Sequence, residues 1–273
     1  MIFSRIFFLC LALLAVGCTK REYRKLNNKE KIEVNGKQQL TVMSYNVRHC
    51  SPPANPDYID VAAIAGIIRD SGAELIGLQE IDVNNERSGK NLHQARALAD
   101  LTGMYFYFSK SIEYRGGAYG TAILSKYPIS EEATVILPGK EGTEQRTLSL
   151  VTVTLPDGNK IRVGNTHLDY TADENALAQA EVIVKSLINE SRPVFLTGDF
   201  NVVQSSRTFR YLNEYFRSSC EVNCPPTIPA DSPEKAIDFI FYSTPWKMEV
   251  SMHEVLHEPT ASDHRPVLAK FSW

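Results

Sequence analysis

Val194-Phe195-Leu196-Thr197-Gly198-Asp199-Phe200-Asn201 carries an apolar, strand-like run straight into an acid and an amide. Strand tips that deliver polar groups are how an α/β scaffold builds a site, because the chemistry sits in loops held by rigid elements. The same pattern recurs outward from this stretch. Leu40 to Val47 is β-branched and apolar and brings Asn46 to its end, and Leu75-Ile76-Gly77-Leu78 hands over to Gln79-Glu80. Lys160 to Asn165 leads into Asn165-Thr166-His167-Leu168-Asp169, Ile237-Asp238 opens the apolar run to Tyr242, and Ser262-Asp263-His264-Arg265-Pro266 stands before the strand-like Val267 to Phe271.

Helical periodicity fills the gaps between these strands. Ile59, Val61, Ile64, Ile67 and Ile68 recur at helical spacing, with Asp57 or Asn55 to cap them and Gly72 to stop them. A second helix is predicted over Asn91 to Leu101, closed by Gly103, and the longest over Asp173 to Ile188, where Ala176, Leu177, Ala180, Ile183, Val184 and Leu187 form one apolar face. The centre reads as β: Tyr105 to Phe108, Gly120 to Ser125, Thr134 to Leu137, and Thr147 to Leu155 joined to Lys160 at the hairpin signal Pro156-Asp157-Gly158. Met248 to Val255 adds a late strand. Early alternation, a β-rich centre and no internal repeat give two packed sheets with helices outside. Arg115, Gly116-Gly117 and Tyr119 read as a loop, either facing substrate or simply connecting.

The N-terminus differs in character from this body. Arg5 is followed by an unbroken apolar run, Ile6 to Val16, too short to span a bilayer and typical of an export leader. Ala15-Val16-Gly17-Cys18 resembles a bacterial lipoprotein signal, which makes residues 1–18 a signal peptide ending in an acylated Cys18; cleavage nearby as an ordinary leader is the alternative. Residues 19–37, rich in Lys and Arg, read as a flexible basic tether, with 38–273 as the folded domain. The predicted location is the cell envelope, lipid-anchored on its periplasmic or extracellular face. In an oxidising compartment, Cys220 and Cys224 are the expected disulfide; metal binding is the weaker reading, since no second pair at zinc-ligand spacing accompanies them. With 43% apolar residues the chain can bury a large core, and its net charge of −3 offers no general basic field for nucleic acid. No protein-partner motif is visible.

Taken singly, Glu80, Asn46 and His167 are equally readable as a surface acid, a turn former and a backbone-bonded histidine. Their shared placement at strand ends, with Asp199, Asn201, Asp238, Asp263 and His264, is what points to a site. Carboxylate and amide oxygens suit Mg²⁺ or Mn²⁺ better than zinc. A phosphoester needs a positive centre, an activated water and donors that hold the phosphate in line, and this inventory contains all three.

The set Met43-Ser44-Tyr45-Asn46-Val47, Leu78-Gln79-Glu80, Gly120-Thr121-Ala122-Ile123-Leu124-Ser125, Asn165-Thr166-His167-Leu168-Asp169, Gly198-Asp199-Phe200-Asn201, Ile237-Asp238 and Ser262-Asp263-His264-Arg265-Pro266 resembles the endonuclease/exonuclease/phosphatase family, from about Leu40 to the C-terminus. That resemblance implies a four-layered αββα sandwich, two mixed β-sheets flanked by helices, and a metal-dependent hydrolase of phosphate esters. It makes Glu80 the chief metal ligand with Asn46 and Asp263 near it, and Asp199 the residue that orients or deprotonates water. Asn201 and His167 would hold phosphate oxygens, and His264, oriented by Asp238, would act as base or charged donor. Arg146 has two readings, a bidentate phosphate grip at the site rim or a surface guanidinium. His49 and Cys50, just past Asn46, receive no role, and Thr227, Pro229 and Pro233 look like the family's turn before Asp238. The substrate is left among nucleic acid, phospholipid headgroup and small phosphoester. The competing class is a catalytically silent module that holds a phosphorylated ligand on the same fold.

Overall fold

A computed structural model describes residues 38–243 and 247–273. The predicted signal peptide, Cys18 and the whole of the tether lie outside the described residues. Among those residues no helix is long and apolar enough to cross a membrane.

Two six-stranded sheets stack face to face. In the first, β1 (Gln39–Asn46), β2 (Leu75–Val83), β3 (Tyr105–Tyr114), β4 (Gly117–Ser125), β11 (Glu249–Val255) and β12 (Val267–Ser272) lie in the order β11-β12-β1-β2-β4-β3. The second holds β5 (Ile129–Ile136), β6 (Thr147–Thr154), β7 (Lys160–His167), β8 (Val194–Asp199), β9 (Arg217–Ser218) and β10 (Asp238–Ser243), ordered β5-β6-β7-β8-β10-β9. Each sheet is built around one parallel pair, β1 with β2 and β7 with β8, and every other pairing is antiparallel. A parallel pair needs a crossover, and α1 (Val61–Ser71) and α3 (Asp173–Leu187) supply one to each sheet.

Three apolar clusters account for the four layers. Ile64, Ala65 and Ile68 of α1 and Ala95, Leu98 and Ala99 of α2 (Gln94–Thr102) cover Met43, Tyr45, Ile76 and Leu78 on the outer face of the first sheet. Ala176, Ala180, Ile183 and Leu187 of α3, with Phe209 and Leu212 of α4 (Arg207–Tyr215), do the same over Leu196, Phe239 and Phe241. Between the sheets lie Val42, Leu75, Val163, Phe195, Ile240 and Phe271, with the Phe195 and Phe271 rings edge to face at 4.9 Å. Towards one end this layer turns polar, and Gly77 passes so close to the second sheet that a Cβ there would sit 1.9 Å from Thr197 Oγ1.

Several boundaries differ from the sequence reading. Asp60, not Asp57 or Asn55, caps α1 by accepting from Ala63 N–H at 2.9 Å, and His93 caps a second helix that begins at Gln94 rather than Asn91. The Arg115-Gly116 segment is the tight turn of the β3–β4 hairpin, both residues left-handed, and Tyr119 is a buried strand residue rather than part of a loop. Helix α4 was not anticipated. Cys220 and Cys224 are joined in a disulfide, and Cys50 is buried as a free thiol.

Candidate active site

Because β1, β2, β7 and β8 run as parallel pairs, their C-terminal ends gather polar residues at one edge of each sheet. Antiparallel β10 begins there, with Asp238 opposite Asp199, and the segment leading into β12 returns there beside β1. One amide joins the two sheets: Asn46 Nδ2 donates to Glu80 Oε1 at 3.1 Å and to Asp199 Oδ2 at 3.0 Å. Its Oδ1 accepts from the Arg48 backbone N–H, and its carbonyl accepts from Ser262 Oγ at 2.7 Å. Asn46 therefore turns its amide nitrogen to the carboxylates, as a hydrogen-bonded link, whereas the sequence reading used its oxygen as a ligand.

Asp199 is the buried centre. Its Oδ1 accepts from the Asn201 backbone N–H at 2.9 Å, while Oδ2 lies 3.5 Å from His167 Nε2 and 3.7 Å from His264 Nε2. Burial and the neighbouring Asp238 charge both raise its pKa. On the far side of His264, Nδ1 meets Asp238 Oδ2 at 2.9 Å, and Thr227 Oγ1 donates to that same oxygen at 2.5 Å. Burial disfavours an imidazolium, but the Asp238 and Asp199 carboxylates overcome it and lift the His264 pKa to about 10. His167 goes the other way: burial first, and the Arg146 charge second, hold it neutral.

Glu80 occupies a break in the β2–β4 register between Leu78 and Ile81, with φ at +61°. A left-handed conformation costs a residue with a Cβ roughly 1–2 kcal/mol, and here it turns the carboxylate out of the sheet towards the tips of β1 and β8. Burial would raise its pKa, but the surrounding imidazoles and the Asn46 amide bring it down to about 2. Asp263 sits at the outer side, its Oδ2 3.4 Å from Arg48 Nε. Asn201, left-handed at φ +53°, donates its side-chain amide to Leu168 O at 3.0 Å.

Arg146 is not on the surface, nor at an open rim. It is 4% exposed, its Nη1 is 2.9 Å from Glu144 Oε1, and its Nε is buried without a hydrogen-bond partner. The sequence reading missed the Glu144 partner, the Thr227 hydroxyl on Asp238 and His49, whose Nδ1 lies 3.8 Å from Glu80 Oε2. His49 was visible as a neighbour of Asn46, but nothing local told which way the chain turns there.

The donors fit a hard divalent cation. Glu80 and Asp263 offer carboxylate oxygens, and one atom each from Asp199, Asp238 and His264 lies within 4.8 Å of the others, a second grouping able to take an ion. A model of the Endonuclease/Exonuclease/phosphatase family matches residues 43–264. The fold is similar to that of an endonuclease/exonuclease/phosphatase from Beutenbergia cavernae, at 23% identity and a TM-score of 0.72 over 86% of this chain and 72% of that one. It is also similar to a mannosyl-6-phosphatase of Bacteroides thetaiotaomicron, at 20% identity and 0.70 over 86% and 100%. The human Nocturnin catalytic domain gives 16% identity and 0.65 over 86% and 97%.

Proposed function

The chain belongs to the endonuclease/exonuclease/phosphatase family and is a phosphoester hydrolase, and from that premise we propose that it is a divalent-metal-dependent phosphodiesterase in which Asp199 is the general base. One observation carries the assignment. Among the described residues Asp199 is the single carboxylate that touches Asn46, His167 and His264 together, so a water beside it would stand between the two imidazoles. Its raised pKa makes it a competent proton acceptor near neutrality, whereas His264 is kept protonated by Asp238 and is cast as a donor to phosphate oxygen.

Glu80 and Asp263 would hold Mg²⁺ or Mn²⁺, steadied through Asn46 and Ser262. The cation supplies positive charge against the phosphate and lowers the pKa of a bound water. His167, neutral, and Asn201 position the phosphate oxygens, and the free Nε edge of Arg146 offers a further donor to the same group. The substrate is a small phosphoester, a phospholipid headgroup or a nucleic acid. The acidic balance of the chain speaks against a grip on duplex DNA, and the likeness to a mannosyl-6-phosphatase supports a small phosphoester, with a monoester as the second reading beside the diester. The export-leader-like N-terminus supports anchoring through Cys18 in the cell envelope.

The test is hydrolysis of a panel of single-stranded and duplex DNA, RNA, sphingomyelin, a phosphoinositide, a sugar phosphate and a chromogenic diester, with Mg²⁺, Mn²⁺ or EDTA. Metal-dependent turnover of one class is expected, and Asp199→Asn should reduce it at least about 10³-fold with the unfolding transition retained. Undiminished turnover by Asp199→Asn sinks the assignment, and tight ligand binding without turnover would favour the silent module.

A further inference from the structure

The turn that follows Asn46 is built around a residue to which the proposed reaction gives no part. Arg48, His49 and Cys50 are all left-handed, at φ +46°, +45° and +57°, three non-glycine residues in succession. The chain adopts this only because it is held. Cys50 N–H donates to Val47 O at 2.7 Å, Arg48 Nη1 donates to Ser51 O at 3.0 Å, and the fully buried Gln94 donates to His49 O at 2.6 Å. Gln94 uses its other side-chain atom, Oε1, to accept from Asp82 N–H at 2.8 Å, two residues beyond Glu80. One side chain thus fastens the His49 turn to the strand that carries the Glu80 carboxylate.

The consequence is an imidazole aimed at one carboxylate oxygen without bonding to it. Glu80 Oε1 is taken by Asn46, while Oε2 faces His49 Nδ1 at 3.8 Å, and that nitrogen is buried with no hydrogen-bond partner. A charge-assisted hydrogen bond would close to about 2.7–2.9 Å, so a simple counter-ion contact does not explain this spacing. Two donors that share one cation at bonds of about 2.1 Å each lie roughly 3–4 Å apart, which it does explain. We propose that His49 Nδ1 is a nitrogen ligand of the divalent cation held by Glu80, making the position a mixed oxygen and nitrogen one that favours Mn²⁺ over Mg²⁺. An imidazole donor suits the softer transition ions, whereas Mg²⁺ prefers oxygen alone. The inference rests on the proposed metal-dependent reading of Glu80.

The experiment is Mn²⁺ titration of the full-length protein followed by electron paramagnetic resonance, with pulsed measurement of nitrogen-14 coupling to the bound ion. Tight Mn²⁺ binding with a directly coordinated nitrogen is expected. In His49→Gln the coupling should vanish, while Mn²⁺ still binds about tenfold or more weakly and the Mn²⁺ over Mg²⁺ preference in competition narrows by a similar factor. Bound Mn²⁺ with no coordinated nitrogen, or with a nitrogen signal unchanged in His49→Gln, overturns the His49 assignment and leaves the Glu80 site standing. Failure of the wild-type protein to bind Mn²⁺, or full binding by Glu80→Gln, overturns both. Should His49→Gln not fold, His167→Gln and His264→Gln decide: a coupling that survives both belongs to His49, and one lost in either does not.

Discussion

At the scale of single residues, the site separates two groups that an isolated sequence treats alike. His167 and His264 both reach Asp199 Oδ2 and burial lowers the pKa of both, yet Arg146 adds to that fall at His167 while Asp238, with Asp199, overrides it at His264. That division is what assigns base and donor, and it depends on residues distant in the chain. The motifs named Asp199 and His264 as a pair but left open which was the base. The pH dependence follows from the signs. Asp199 has a raised pKa, so its ionised, proton-accepting form is lost as pH falls below neutrality, which gives the acid limb of kcat/KM. His264 has a raised pKa as well, so its charged form is present at neutral pH and is lost only as pH rises through about 10. Asp238→Asn removes the leading carboxylate that sustains that charge while the Thr227 hydroxyl keeps a side-chain oxygen to bond. The alkaline limb should therefore move towards neutrality, with kcat lowered by about 10²-fold or more, read from kcat/KM profiles of both proteins. An alkaline limb that stays in place would show that His264 is not the group titrating there.

At the scale of elements, the sequence located strands well because β-branched runs and turn residues are local signals. It ended β2 at Leu78, although pairing with β4 resumes at Ile81 beyond the displaced Glu80, since a break in register is a property of two strands and not of one. Helix α4 was legible in principle: Ser206 caps it through Phe209 N–H, and Phe209 and Leu212 are three apart, but nine residues give a short pattern. The entry into β8 is fixed by another relation of this kind. Arg192 donates from Nε and Nη2 to both oxygens of Glu190 at 2.8 Å, and from Nη1 to Glu131 of β5 at 2.8 Å, tying the loop before β8 to the sheet's edge strand. Arg192 chiefly, through its hydrogen bonds, draws the Glu190 pKa down to about 2. A depressed acid contributes stability above its ordinary pKa and loses it as pH falls through the folded value, here between about 4.5 and 2. Arg192→Gln should thus lower the unfolding midpoint at pH 6, and the gap to the wild type should narrow steadily below pH 4.5 and close only as pH falls below about 2. A gap of constant size across that range would mean that the guanidinium acts by packing alone.

For the whole molecule, what matters is how two sheets that share no backbone ladder keep their strand tips in register, since Glu80 belongs to one sheet and Asp199 to the other. The apolar layer sets their separation but is tolerant of sliding. Asn165, fully buried at β7, supplies direction: its Nδ2 donates across the interface to Leu78 O at 2.8 Å and Ala122 O at 3.0 Å, while Oδ1 accepts from Gln79 at 2.7 Å and from Thr197 at 3.1 Å. Every hydrogen-bonding position of that amide is used, which is the condition under which a buried polar group specifies an arrangement. The chain reads Asn165 as one more polar residue before His167, because its partners are 43 to 87 positions away for the donor bonds and invisible to local pattern. Asn165→Ala would remove four hydrogen bonds at the sheet interface, leaving Gln79 its longer contact with Gly77 O and Thr197 its bond to Gly164 O, and would open a small void, for a loss of about 3 kcal/mol. In a domain of this size that is a fall of roughly 6–12 °C in Tm. If the amide also holds the tips in register, kcat should fall beyond what partial unfolding explains when both proteins are assayed well below their midpoints. Full activity at a lowered Tm would confine Asn165 to stability and assign the register to the Asn46 bridge between Glu80 and Asp199.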